Sequence, residues 1–180
     1  MTDMPPQAPR PEPLPPIVSV VGKSNSGKTT LLEALIRCLK GRGYRVAVVK
    51  HHGHVTSFDQ PGKDTYRHAQ AGADVVVGAS PVQLAVFLAE AGEASALEGI
   101  VRRFAAHVDL VFTEGYKRGP YPKIEVCRAA RSQALICEPG ELLAVASDLD
   151  FAIGVPCFGL DDGEALADFI EAEVLRRPQV

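Results

Sequence analysis

The chain has 180 residues, 46% of them hydrophobic and 23% charged, with a formal net charge of -3. That length and balance describe one globular domain with a sizeable core. The slight acidity argues against a general nucleic-acid binder, and no apolar run approaches the roughly 20 residues of a membrane-spanning helix.

Met1 to Pro16 holds seven prolines and few apolar residues, the composition of an extended, disordered leader. It lacks the basic-then-apolar order of a secretory signal. Residues 17–180 then read as a single domain. Cys38, Cys127, Cys137 and Cys157 fall at wide intervals with no C-x-x-C pair, which suits a reduced, cytosolic protein.

Ile17 to Val21 is a short β-branched strand that runs into Gly22-Lys23-Ser24-Asn25-Ser26-Gly27-Lys28-Thr29. This is the G-x-x-x-x-G-K-[ST] of a P-loop, and Thr29-Thr30-Leu31-Leu32 opens a helix directly after it. The spacing has a chemical reason. The glycines let the backbone curl so that several N–H groups face one anion, and the helix N-terminus adds a favourable dipole. Lys28 supplies a positive charge for the β- and γ-phosphates, while the Thr29 hydroxyl suits a Mg²⁺ ion.

Gly41-Arg42-Gly43 ends that helix, and Tyr44 to Lys50 makes a second strand, so the unit is βαβ with parallel strands. His51 to Gly62 is polar and irregular. Asp64 to Ala71 follows as a helix stopped by Gly72. Asp74 to Ala79 has a buried-strand pattern, with Gln83 to Leu88 as the returning arm of a hairpin past Pro81. Glu93 to Ala106 has helical spacing. Val108 to Thr113, Lys123 to Cys127, Leu142 to Ala146 and the shorter Ala152 to Val155 read as strands, and Gly163 to Leu175 as an amphipathic helix. The alternation predicts an α/β fold of the P-loop NTPase kind: a three-layer sandwich whose mainly parallel, mixed sheet carries helices on both faces.

A P-loop needs a carboxylate at the end of a neighbouring strand to place Mg²⁺, directly or through water. Leu110-Val111-Phe112-Thr113 runs straight into Glu114 and Gly115, and ligands of open α/β sheets gather at that end of the strands. Asp109 starts the same strand at the opposite edge and is a poor ligand. Asp59 is the second carboxylate candidate, in a loop able to reach the γ-phosphate and the metal. Lys63, Asp64 and Arg67 follow, either as ligands of an anion or as a solvated helix face. Adjacent His51 and His52 cannot easily aim at one ion, so the His51-His52-Gly53-His54 cluster suits phosphate or pterin contacts or loop packing better than a transition metal. The Asn-Lys-x-Asp string of guanine readers is absent. Ala144-Val145-Ala146-Ser147-Asp148 ends a late strand in an aspartate that would either read guanine N1–H and N2–H₂ or cap a turn.

These segments together resemble the molybdopterin-guanine dinucleotide biosynthesis protein B family. The likeness rests on Gly22 to Thr30, on Val48-Val49-Lys50-His51-His52-Gly53-His54, and on Phe58 to His68 with Ala71-Gly72-Ala73. It continues through Leu110-Val111-Phe112-Thr113-Glu114-Gly115-Tyr116-Lys117 and the late Ser147-Asp148. The Pro61-Gly62-Lys63-Asp64 string with Arg67 downstream is far more specific than a P-loop alone. The resemblance implies a small GTP-binding protein, usually a homodimer with weak GTPase activity. Its implied role is to assist a MobA-type guanylyltransferase in joining GMP to molybdopterin, for the guanine dinucleotide form of the molybdenum cofactor. Lys23 departs from the pattern: a neighbouring ATPase family keeps a lysine there that reaches across a dimer, and the other reading is a solvated loop lysine. The leader has no counterpart in the family. Two other functions fit the same motifs, a small-molecule kinase and a dimeric ATPase switch using Lys23 in trans.

Overall fold

The computed structural model describes residues 13–52, 57–89 and 96–176. The leader falls outside these residues except at its end, where Pro15 is buried, Leu14 packs on the core and Pro16 accepts a hydrogen bond from the Val111 amide at 2.9 Å. The chain there is already part of the domain.

Six strands, β1 (Ile17–Val21), β2 (Val46–Lys50), β5 (Leu110–Glu114), β6 (Lys123–Cys127), β7 (Leu142–Ser147) and β8 (Cys157–Phe158), form one sheet in the order β2-β5-β1-β6-β7-β8. All neighbours are parallel. The first two strands are parallel, with β5 inserted between them. The antiparallel element is a separate two-stranded hairpin, β3 (Val75–Ala79) with β4 (Leu84–Leu88).

β1, β5 and β6 are buried along their whole length, as strands covered on both faces must be. Val18, Val20, Leu110 and Phe112 face a core built with α1 (Lys28–Gly41) and α4 (Gly163–Ile170). Helix α1 brings Leu31, Leu32, Leu35 and Leu39 to that side, an i, i+4, i+8 stripe. Ile17 and Val111, one residue out of phase, face Leu97, Val101 and Ala105 around α3 (Leu97–Phe104). Each fully buried leucine or phenylalanine stabilises the fold by about 1.5–3 kcal/mol, which fixes the strands that carry the site. Arg42, just past α1, pairs with Glu164, Asp168 and Glu171 at 2.6–2.8 Å and locks the two helices together.

Three expectations change. The Asp74–Ala79 strand is not buried: Val75 and Val77 are 52% and 53% exposed, because the hairpin stands off the main sheet with one face uncovered. Ala152–Val155 is not a strand. Gly154 and Pro156 interrupt it, and only Cys157 and Phe158 pair with β7. The last helix is α-helical only to Ile170 and then widens to a π turn over Glu171–Leu175. Helix α2 (Asp64–Gln70) forms as predicted; the start of the Glu93–Ala106 helix lies outside the described residues. No helix among them is long and apolar enough to cross a membrane.

Candidate P-loop nucleotide site

The turn after β1 leaves little freedom. A Cβ on Gly22 would lie 2.3 Å from the Val126 carbonyl oxygen of β6, so the loop starts in direct contact with the neighbouring strand. Asn25 is the one non-glycine residue among those described with positive φ, at 59°, and it completes the curl. Helix α1 begins at Lys28 with no side-chain cap and no acidic residue in its first turn. Its first amides therefore have no protein acceptor supplied by a cap, and a carboxylate that would repel an anion is missing.

In front of the loop lies a cleft of ≈ 460 Å³ lined by Ser24, Asn25, Gly27, Lys28, Thr29, Thr30, Lys50 and Glu114. Thr29 Oγ1 donates to Glu114 Oε1 at 3.1 Å, and Lys50 Nζ stands 3.4 Å from the same oxygen. The β1–β5 and β2–β5 registers make this convergence, pairing Val20 and Lys50 with Glu114. Lys28 Nζ donates to the Lys23 carbonyl at 2.6 Å, spanning the loop. Burial lowers the Lys28 pKa from its ordinary value, Glu114 opposes the shift, and Lys117 and Lys50 add to it. A cation crowded by two other cations gains when an anion enters.

The P-loop residues divide by role. Gly22 and the buried Ser26 lie under the loop, the Ser26 hydroxyl without a hydrogen-bond partner. Lys23 is exposed and offers its carbonyl to Lys28. Thr29 and Glu114 come together as a pair of hard oxygen donors, the ligand type Mg²⁺ selects. Asp59 does not line this cleft. Its Oδ1 accepts from the Gln60 amide at 2.8 Å, and its buried Oδ2 has no partner. Arg67 also stays away, exposed and 3.8 Å from Asp64. Asp109 pairs with Arg45 at 2.9 Å on the far edge. Asp148 sits at the end of β7, its Oδ1 accepting from the Ala129 amide at 2.7 Å.

The His51 ring lies 5.0 Å from Tyr116, and the His52 ring meets Phe58 edge-on at 5.3 Å. The two histidines thus face different partners; Gly53 and His54 lie outside the described residues. Beside Glu114 a larger cavity of ≈ 750 Å³ is walled by His51, Gly115, Tyr116, Lys117, Arg118 and Gly119. Lys50 was the cleft residue missed in the sequence. A polar residue closing an apolar strand is the signal that singled out Glu114, and it applies equally to Val-Ala-Val-Val-Lys50.

Comparisons with known proteins identify the family and the fold. A family model described as molybdopterin guanine dinucleotide synthesis protein B matches residues 17–148. The molybdopterin-guanine dinucleotide biosynthesis adapter protein of Haemophilus influenzae is 36% identical over 157 residues, covering 87% of this chain and 88% of the relative. The adapter protein of the same description from Escherichia coli is 34% identical, covering 86% and 91%. A crystal structure of molybdopterin-guanine biosynthesis protein B (mobB) superposes with a TM-score of 0.69 at 34% identity, over 87% of this chain and 98% of the other. Bacillus subtilis MobB superposes with the same TM-score at 26% identity, over 90% and 99%. The chain, with its P-loop cleft closed by Glu114, belongs to the molybdopterin guanine dinucleotide synthesis protein B family.

Proposed function

We propose that this protein binds GTP with Mg²⁺ in the P-loop cleft and acts as an adapter in molybdopterin-guanine dinucleotide synthesis, presenting the nucleotide to a MobA-type guanylyltransferase. The observation that carries the reading is the 3.1 Å approach of Thr29 Oγ1 to Glu114 Oε1 at the mouth of the loop, with Lys28 beside it. Mg²⁺ held between those oxygens would offset the charge of the β- and γ-phosphates. Lys28 and the α1 amides grip the phosphates, Glu114 orients the Thr29 hydroxyl, and Lys50 keeps the carboxylate in place. Among the described residues no glutamine or arginine lines the cleft. That lining supports slow hydrolysis, since orientation of water and charge neutralisation supply most of the rate.

The ≈ 750 Å³ cavity adjoins Glu114 through Gly115, beside the cleft that would hold the terminal phosphate. Its Lys117, Arg118 and two rings suit a phosphorylated heterocycle such as molybdopterin. The same cavity favours a second reading, a small-molecule kinase with its acceptor there. Self-association as a homodimer is supported by the uncovered hairpin face of Val75, Val77, Leu84 and Val86.

Competition calorimetry with GTP, ATP and a molybdopterin compound, with and without Mg²⁺, tests the reading. GTP should bind more tightly than ATP, with low turnover that the pterin does not raise. Lys28→Ala should lose about 1.5–3 kcal/mol, tenfold or more in affinity. Identical titrations for Lys28→Ala and wild type would refute the site, and phosphate transfer to the pterin would favour the kinase.

A further inference from the structure

Arg128 lies on the opposite side of the P-loop from Glu114, and nothing above uses it. β6 pairs with β1 through Ser19–Lys123, Val20–Ile124 and Val21–Glu125, so the residue that follows β6 emerges beside the loop that follows β1. Arg128 turns back over that loop. Its Nε donates to the Ser26 carbonyl at 3.4 Å, and its Nη2 stands 3.4 Å from where a Gly27 Cβ would be. The guanidinium therefore lies at ordinary contact distance over the Gly27 backbone.

The backbone at Arg128 is held firmly. Its carbonyl accepts from the Arg131 and Ser132 amides at 2.8 and 2.9 Å, and the next amide, Ala129, donates to Asp148 at 2.7 Å. The guanidinium itself is nearly unspent. One long hydrogen bond uses one of five donors, and among the described residues no carboxylate pairs with it. A half-buried arginine without a carboxylate, fixed over a glycine of an anion loop, offers a flat cationic surface to a ligand.

The placement says which part of the ligand. The terminal phosphate belongs beside Thr29, Lys50 and Glu114, on the β5 side of β1. A nucleoside at the other end of the same triphosphate must leave over β6 and β7, where Arg128 and Asp148 stand in contact through Ala129. We propose that Arg128 forms the floor of the nucleoside subsite, its guanidinium plane stacking on the purine while Asp148 meets the purine edge. The proposal rests on the nucleotide reading above and adds the subsite that holds the base.

The experiment compares GTP with inorganic tripolyphosphate, which shares the phosphates and lacks the nucleoside. Both are titrated calorimetrically with Mg²⁺ into wild type, Arg128→Met and Arg128→Lys. Methionine keeps an unbranched stem over Gly27, and lysine keeps the charge without the plane. Arg128→Met should weaken GTP by about tenfold or more, the size of a lost stacking contact, and leave tripolyphosphate within about twofold. Arg128→Lys should recover only part of the GTP loss. Equal losses for both ligands would overturn the proposal and make Arg128 a brace of the loop. Unchanged GTP binding in Arg128→Met would overturn it as well. A wild type that binds neither ligand would defeat the nucleotide reading and this subsite with it.

Discussion

In a Gly22→Ala variant the new Cβ would sit 2.3 Å from the Val126 carbonyl oxygen and 2.9 Å from Ser26 Oγ. Real Cβ atoms essentially never approach closer than 3.0 Å, so something must yield by at least 0.7 Å, the difference between 3.0 and 2.3. The Ser26 hydroxyl can swing aside, but the carbonyl belongs to the backbone of β6, buried in the middle of the sheet. The residue also has φ of 142°, which a side chain rarely adopts, adding about 1–2 kcal/mol of strain. Loosening one or two β1–β6 ladder bonds adds a further ~1–2 kcal/mol. The expected loss is about 2–4 kcal/mol, read as a lower urea midpoint at unchanged slope. Gly43→Ala is the control. Its φ is 90° with nothing within 4 Å, so it reports strain alone, about 1–2 kcal/mol. Triphosphate affinity should fall in Gly22→Ala and hold in Gly43→Ala. If Gly22→Ala proves no less stable than Gly43→Ala, the close packing of the loop on β6 is not what sets its shape.

Glu114→Gln should leave Mg²⁺-free nucleotide binding near wild type and abolish most of the gain that Mg²⁺ brings, because the amide keeps the shape and loses the charge; equal Mg²⁺ dependence would remove Glu114 from the metal site. Asp148→Asn should cut the GTP-over-ATP preference about tenfold, a charged hydrogen bond being worth about 1.5–3 kcal/mol. Stability should not change, since the amide oxygen still accepts from Ala129; an unaltered preference would mean another group reads the base. The Cys38 thiol and then Arg42 hold the Glu164 carboxyl below its ordinary value of 4.5, and Arg42 and Tyr44 do so for Glu171. Arg45 does the same for Asp109, below 3.8. Depressed folded-state values stabilise above the unfolded pKa, so unfolding free energy should be level down to about pH 5 and fall as pH drops below it. Burial pushes the Cys137 thiol up to about 11 from 9.0. Stability should therefore also fall between those values on the alkaline side, and Cys137→Ala should blunt that limb. A flat denaturation midpoint from pH 3 to 5 would discount the carboxylate pairs.

The P-loop, its flanking strand and helix, and the strand ending in Glu114 were legible because each is contiguous. A few neighbouring residues carry the whole signal, and the curl needs only local φ, ψ freedom and a helix start. The hairpin misled for the converse reason. Val75, Val76 and Val77 have the composition of a covered strand, and coverage is a property of what packs above it. Lys123 and Glu125 read as ordinary strand residues. Both are buried, Lys123 against Glu141 at 2.6 Å and Glu125 accepting from the Ile136 and Cys137 amides at 2.7 and 3.0 Å. Their partners lie in a segment with no periodicity to announce it.

Residues 22–30 by themselves determined a P-loop between a strand and a helix. Only the tertiary structure decided what stands on either side of it. Thr29 and Glu114 are 85 positions apart, and Ser26 and Arg128 are 102 apart. They meet because β1 lies between β5 and β6, one neighbour bringing the acid to one side of the P-loop and the other bringing the guanidinium to the opposite side. Parallel strands of similar apolar composition can be stacked in several orders. The choice among them is made by how α1, α3 and α4 pack on the two faces, long-range burial that no single stretch of sequence encodes.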